Sequence, residues 1–523
     1  MRFLKNIKQA IVVTAVPFMF TGCVDNADLV QLDNNNYTET SFWETDEDAV
    51  EGVNAVYASL LTDGTYMRST PLLLDLKGDD TRSQSPWAAM ANVGRFNTSV
   101  SDAAIYGWAF ETYYQGVFRA NQVLTFVPEM EMEDAALKDR VIGQAYFLRG
   151  LYFFHLVNMF KSVPLPQAPV DYSQFSFEQK TQEEGWAQVI SDLQMAVDLL
   201  PNDYTSISGL DAGDVGRATK GAAYAYLGKA YLFNQDYASA RTAFEQVMSM
   251  GYSLVPNYRD NFTTDNENNS ESIFEVQFSR DAGGVNLGWG GAPGSDWGKT
   301  SARAITYAPR NFGWTDVQPT WQLFNEFQEE LTVNGEVDPR LDATMFYNKP
   351  GGMMLYGQDF ATVYAGSPAD LNDLFCRKYQ NSDGQFADEY DWRSGINERL
   401  MRYADVLLMY AECLNELGQT SDAYTYIQMV RDRVNLPDLA TTMPGMSQAE
   451  MRDQIGHERF LEFGLEGHRF DDIRRWGWLD TRLQWLQDRD PEFNTYVDGR
   501  EYFPIPQTEI DNNPGIVDQN PGY

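Results

Sequence analysis

The sequence predicts a mostly α-helical fold in which four helical hairpins of tetratricopeptide type form a scaffold. A loop-rich, irregular subdomain is inserted between the third and the fourth. Three observations lead there. Between Arg217 and Met250, Tyr224, Leu227, Gly228 and Tyr231 precede Ala240 and Phe244, which is the tetratricopeptide spacing of aromatic-x2-Leu-Gly-x2-Tyr followed by Ala-x3-Phe. Between Arg402 and Asn435, Leu407, Ala411, Leu414, Ala423 and Ile427 repeat that pattern. Between residues 251 and 399 the helical period is lost, and glycine, proline, asparagine and aromatic residues take over.

Taken in chain order, residues 1–22 read as a targeting segment. Arg2, Lys5 and Lys8 precede an apolar run from Ile11 to Phe20, which is too short to cross a bilayer as a helix. Thr21-Gly22-Cys23 follows, small residues before a cysteine, as in a bacterial lipobox with Phe20 where leucine is usual. Cleavage there makes Cys23 the lipidated first residue and the protein anchored rather than spanning. Residues 23–41 are a polar tether. Residues 42–250 carry the N-terminal part of the helical scaffold. Its first pair is expected at Asp48–Leu61 and Ala103–Phe126, and its second at Val141–Phe160 and around Val189–Pro201, split by a proline-rich loop at Val163–Val170. In the third, small Gly228 and Ala240 allow close helix crossing. Residues 251–399 form the insertion, with a strand expected at Ile273–Phe278. Residues 400–523 hold the last repeat, a charged helix and a tail. Four hairpins exceed the three or so that a repeat stack needs to bury its faces.

The net charge of −36 repels nucleic-acid phosphates. It also disfavours strongly anionic polysaccharides in the absence of a local basic pocket or a bound cation. Besides Cys23 only Cys376 and Cys413 are present, too few for a disulfide scaffold; whether they pair is open. The segment Gly294–Thr300 (GSDWGKT) ends like a P-loop but is one residue short. His457 and His468 flank glutamates without the HExxH spacing, and His155 in FFHLV reads as a core histidine. No nucleophile elbow is present and no carboxylate pair stands out, so no enzymatic activity and no cofactor is expected. A structural calcium is not indicated.

Three C-terminal segments, RYADVLLMYAECLNELG (402–418), HERFLEFGLEGHRFDDIRRWG (457–477) and YFPIPQTEIDNNPGIVDQNPGY (502–523), resemble the SusD/RagB family in ordered succession. The lipobox, the repeats and the Gly78-Asp79-Asp80 loop extend the resemblance over the whole mature chain. It implies an outer-membrane, surface-exposed lipoprotein of Bacteroidetes, built on four tetratricopeptide units. Such a protein caps a TonB-dependent transporter of SusC type and presents glycans to it. Within the second segment, Phe460, Phe463, Leu465, Phe470, Ile473 and Trp476 form one apolar face. Glu458, Glu462, Glu466, Arg469 and Arg474 then read as buried pairs that lock helices together.

A sugar offers flat C–H faces to aromatic rings and hydroxyls to polar side chains, so a binding site needs both together. Two segments supply the mixture. The first is Gly78–Phe96, with Trp87 among Asp79, Asp80, Arg82 and Asn92. The second is Gly288–Trp314, with Trp289, Trp297, Tyr307 and Trp314 in a glycine-rich context. Trp289 and Trp314, with Trp87 opposite, are expected to form the stacking platform, and the ligand is expected to be a neutral oligo- or polysaccharide. Trp108, Trp321 and Trp476 lie in helical patterns and are assigned to the core. The competing readings are a repeat scaffold that binds peptides or a partner protein, and a surface glycoside hydrolase.

Overall fold

Several helix starts are written into the sequence as caps. In the computed structural model, which describes residues 42–169, 173, 176–280, 299–382 and 394–523, α1 (Asp46–Ala58) begins at a capping box. Thr45 accepts from the Asp48 N–H at 3.2 Å, and Asp48 accepts from the Thr45 N–H at 2.7 Å. After a short strand, β1 (Thr81–Ser83), come α2 (Tyr106–Phe126) and α3 (Ala135–Phe160), the latter capped by Asp134. α4 (Gln182–Leu199) starts at a second capping box, Thr181 with Glu184, and stops before Pro201. α5 (Lys220–Phe233) and α6 (Tyr237–Met248) are capped by Thr219 and Asp236. In the insertion lie β2 (Ser272–Val276), β3 (Val317–Pro319) and α7 (Trp321–Glu329). β4 (Glu398–Arg402) then leads into α8 (Tyr403–Glu416) and α9 (Thr420–Arg433). α10 (Gln448–Phe463), α11 (Arg469–Arg475) and α12 (Leu483–Arg489) follow.

α1 packs with α2, α3 with α4, α5 with α6 and α8 with α9, and each pair packs on the next through α2–α3, α4–α5 and α6–α8. The fold is mostly helical, with only two-stranded sheets among the described residues. α3 is buried without interruption from Phe147 to Phe160, so its polar side chains must find internal partners. Arg149 forks onto Asp192 of α4 at 2.8 and 2.6 Å and donates to Asn121 of α2 at 2.7 Å, which joins three helices. His155 stands 2.5 Å from the Tyr66 hydroxyl and stacks on Tyr113, and burial pushes its pKa down to about 3. It is a neutral core histidine.

Gly228 explains the close crossing of α5 and α6. A Cβ placed there would lie 2.5 Å from Cε1 of Phe244, the aromatic that ends the repeat pattern. Gly228→Leu overpacks this crossing and lowers stability by about 1–3 kcal/mol, read as a depressed melting temperature. An unchanged melt would show that the ring can swing away.

The insertion is fastened at both ends. β2 and β4 pair antiparallel, with Glu398 opposite Val276 and Arg402 opposite Ser272, so the chain leaves and re-enters the scaffold at one place. Its core, which includes Leu323, Phe327, Phe346, Leu355, Phe360 and Phe375, is completed by Phe460 and Leu461 of α10. The insertion therefore shares its core with the C-terminal helix and is not an independent body. Residues 44–523 fold as one unit.

A buried charge network makes the same join. Arg402 pairs with Glu271, Glu462 and Glu466; Arg340 with Asp338, Glu458 and Glu462; Arg433 with Glu271 and Glu462. Although burial pushes the Glu462 carboxyl up, its three arginines outweigh that and hold it down at about 2. His457 sits 3.0 Å from both Glu326 and Glu330 of the α7 segment, and these carboxylates outweigh burial to raise its pKa to about 9. Among the described residues no group of three or more acidic, histidine or cysteine side chains is arranged to hold a metal ion. Cys376 and Cys413 are both buried free thiols, and burial pushes Cys376 up to about 12. No described helix is long and apolar enough to cross a membrane. Cys23 lies outside the described residues.

Candidate binding site

The two aromatic and polar segments meet through a ribbon of three residues a side. β1 pairs antiparallel with β3, Thr81 opposite Pro319, Arg82 opposite Gln318 and Ser83 opposite Val317. The Gln84 N–H continues the ladder to the Asp316 carbonyl at 2.9 Å. Trp87 leaves one strand, and Trp314 enters the other, at the same end of this ribbon.

Trp87 stands at the start of the short helix Ala88–Gly94, with its N–H held by the Ser85 hydroxyl at 3.1 Å. Its half-exposed ring lies 5.8 Å from that of Trp108 in α2, tilted by 37°. The Arg68 guanidinium sits 5.7 Å from the first ring and 5.8 Å from the second. Arg68 is itself fixed by a two-pronged bond to Asp63 at 2.6 and 2.5 Å, and both members of that pair are buried. Two rings and a cation are thus held rigid before any ligand arrives. Asp316, which interacts with Arg68 and bonds Ser85, has its pKa raised by burial. Trp314 is 40% exposed on the neighbouring chain. A turn holds it there: its N–H bonds the Ile305 carbonyl at 2.9 Å, and Gly313 passes so close to that carbonyl that a Cβ would collide with it.

Beside this cluster opens a polar cleft of about 310 Å³, lined by Arg82, Gln84, Ser85, Arg95, Asp490 and Glu492. Arg82 is partly exposed and donates to Asp373 at 2.9 Å. Burial pushes Asp490 up to about 6 and Glu492 up to about 7, so near neutrality Glu492 is partly protonated and can donate as well as accept, while Asp490 is mainly an ionised acceptor. A wider cleft of about 810 Å³, between the loop after α4 and the start of β2, includes Tyr204, Arg217 and Tyr252 but no tryptophan.

Three residues assigned to the site from sequence face inward instead. Asp79 is fully buried and gripped by Arg469 and Arg489, which together outweigh burial and hold its pKa at about 2. Asp80 is buried and accepts from the Leu465 N–H at 2.9 Å; burial, reinforced by Asp75, pushes it up to about 7. Tyr307 is 1% exposed and donates to Asp75 at 2.7 Å. All three side chains are buried against the chain's own groups, so a sugar cannot reach them without dismantling the core. Asn92 is half-buried on the Ala88–Gly94 helix, one turn beyond Trp87. Trp289 and Trp297 lie outside the described residues. Conversely, Trp108 is half-exposed against Trp87 rather than core, and Trp321 is 43% exposed. Trp476 is half-buried, with its indole N–H bonded to Glu412 at 2.9 Å. Arg68 and Asp63 carried no sequence signal; they sit in an ordinary turn. For Trp108, the signal was a tryptophan on the edge of an apolar helical face.

Residues 270–523 match the family model described as the SusD family, and residues 31–232 match a model described as starch-binding associating with outer membrane. SusD-like protein P25 of Formosa agariphila is 26% identical, over 92% of this chain and 93% of its own length. Among solved structures, a SusD superfamily protein from Bacteroides vulgatus superposes with a TM-score of 0.79 at 28% identity, covering 92% of this chain and all of its own. A laminarin binding SusD-like protein superposes with a TM-score of 0.73 at 27% identity, over 92% of this chain and the whole of the other.

Proposed function

The chain belongs to the SusD/RagB family, and from that premise we propose that it captures a neutral oligo- or polysaccharide at the cell surface without cleaving it. It delivers the glycan to a partner TonB-dependent transporter of the outer membrane, to which it is held by a lipid on Cys23. The observation that carries this reading is the Trp87–Trp108 pair under Arg68, with exposed Trp314 at the same end of the β1–β3 ribbon and a cleft of hydroxyl and carboxyl groups. Sugar C–H faces pack on the rings while the cleft satisfies the hydroxyls. The Arg68 guanidinium beside the rings is already paired with Asp63, so it is not available to select an anionic chain. Asn92, Arg82 and, from the segment outside the described residues, Trp289 and Trp297 complete the proposed contact set.

Laminarin, named in the solved relative at 27% identity, is the first probe, followed by a panel of neutral polysaccharides. Trp87→Ala and Trp314→Ala each weaken the bound glycan by about ten- to a hundredfold in calorimetry, the loss of a stacking anchor worth roughly 1–3 kcal/mol. Their melting temperatures stay near that of the wild type. Full affinity in both variants, with melting depressed, returns these residues to a structural role. Incubation with the bound glycan releases no reducing sugar; release would establish a hydrolase.

A further inference from the structure

A second cleft, whose arginines Arg469 and Arg489 are held by Asp79, also combines tryptophans with arginines. It measures about 440 Å³ and lies between α7, α10 and the chain from Trp478 through α12. Its apolar surface is Phe460 and Trp478, both buried, and Trp485, which is 39% exposed. The two indoles meet edge to face at 5.4 Å. Arg489 lies over Trp485 at 4.2 Å and Arg482 over Trp478 at 4.8 Å. It shares no residue with the Trp87 cluster.

Every cation at this cleft is already matched. Arg489 is held by Asp79 at 2.7 Å and by Glu326, and Arg482 by Asp453 at 2.6 Å. Arg469 also pairs with Asp79, and His457 lies between Glu326 and Glu330. An anionic ligand would have to break pairs to gain pairs. An uncharged ligand with apolar faces and many hydroxyls gains stacking on Trp485 and hydrogen bonds from the paired side chains. Asp79 is placed to hold Arg469 and Arg489, and through Arg489 the ring of Trp485, which gives that buried carboxylate a role in positioning the cleft.

We propose that the cleft walled by Trp478 and Trp485 is a second binding site for neutral oligosaccharide. This rests on the carbohydrate reading of the chain. A glycan long enough to span both sites binds more tightly than a short one, by effective concentration.

The test titrates the full chain with neutral hexaoses of the laminari-, cello-, malto- and xylo-series, and with the parent polysaccharide of any that binds. Wild type, Trp87→Ala, Trp485→Ala, Trp485→Phe and the double alanine variant are compared, each with a melting curve. The expected stoichiometry is two hexaoses for the wild type, one for each single alanine variant and none for the double. Trp485→Phe keeps the second site, weakened by about tenfold or less. The polysaccharide's advantage over its hexaose disappears in either single alanine variant. One hexaose bound by the wild type and lost in Trp87→Ala leaves the first site standing and overturns the second. A single site lost only in Trp485→Ala does the reverse. No binding of any hexaose or parent polysaccharide to the wild type overturns both.

Discussion

Arg402→Met is expected to destabilise the fold by about 3–5 kcal/mol, because it strips a buried network of its central cation while leaving the carboxylates in place. Arg402 is 2% exposed. Its guanidinium reaches Glu462 at 3.0 Å, Glu466 at 2.8 and 2.9 Å, and Glu271. Arg433 and Lys378 remain as partners for these acids, but each is already engaged. The variant then has either to bury uncompensated negative charge or to protonate a glutamate. The comparison is Arg452→Met, which breaks an equally well-formed pair with Glu416 on a side chain that is half exposed. That change is expected to cost about 1 kcal/mol or less. Urea unfolding of both variants at neutral pH measures the difference. Equal losses would show that the C-terminal network is optional, and that apolar packing alone joins the insertion to the scaffold.

Asp80→Asn is expected to flatten a pH dependence. The Asp80 carboxyl titrates near 7 in the folded protein, against about 4 in an unfolded chain. Between those values the native state holds a proton that the unfolded state has released. Stability from this group is therefore fully present below about pH 4, falls by about 1.4 kcal/mol per pH unit through that window, and levels off above about 7. Asparagine keeps an acceptor for the Leu465 N–H and has no proton to lose. Measured by urea unfolding from pH 5 to 8, the variant gains on the wild type as pH rises, whatever constant offset its buried amide imposes. A constant difference between the two proteins across that range would mean that Asp80 is ionised throughout.

The hairpins were legible in the sequence because their determinants are local. The repeat spacing is a relation between residues three and four apart, as with Tyr224, Leu227 and Gly228, and a helix crossing requires a small residue at a set position, as with Gly228 and Ala240. Periodicity reports such relations directly. The candidate site was half legible. Trp87 and Trp314 stood out as tryptophans among polar and small residues outside the repeats, which is a matter of composition. Asp79, Asp80 and Tyr307 had the same composition and lie inside the protein. What separates them from Arg82 is burial against residues hundreds of positions away, Arg469 and Arg489 for Asp79, Leu465 for Asp80 and Asp75 for Tyr307. The same holds for Trp108 and Trp321, whose helical pattern marked a face without saying what would cover it.

By itself, then, the sequence determined the helical class, the repeat pairing and the two segments from which the candidate site is drawn. Each of these depends on residues close together in the chain. Only the tertiary structure decided which polar side chains face the candidate cleft and which face another part of the protein, how β1 and β3 bring the two segments to one place, and that α10 completes the core of the insertion. The reason is physical. The free energy of a charge or a ring depends on whether its neighbours are water or protein, and for a buried group those neighbours come from the folded chain as a whole.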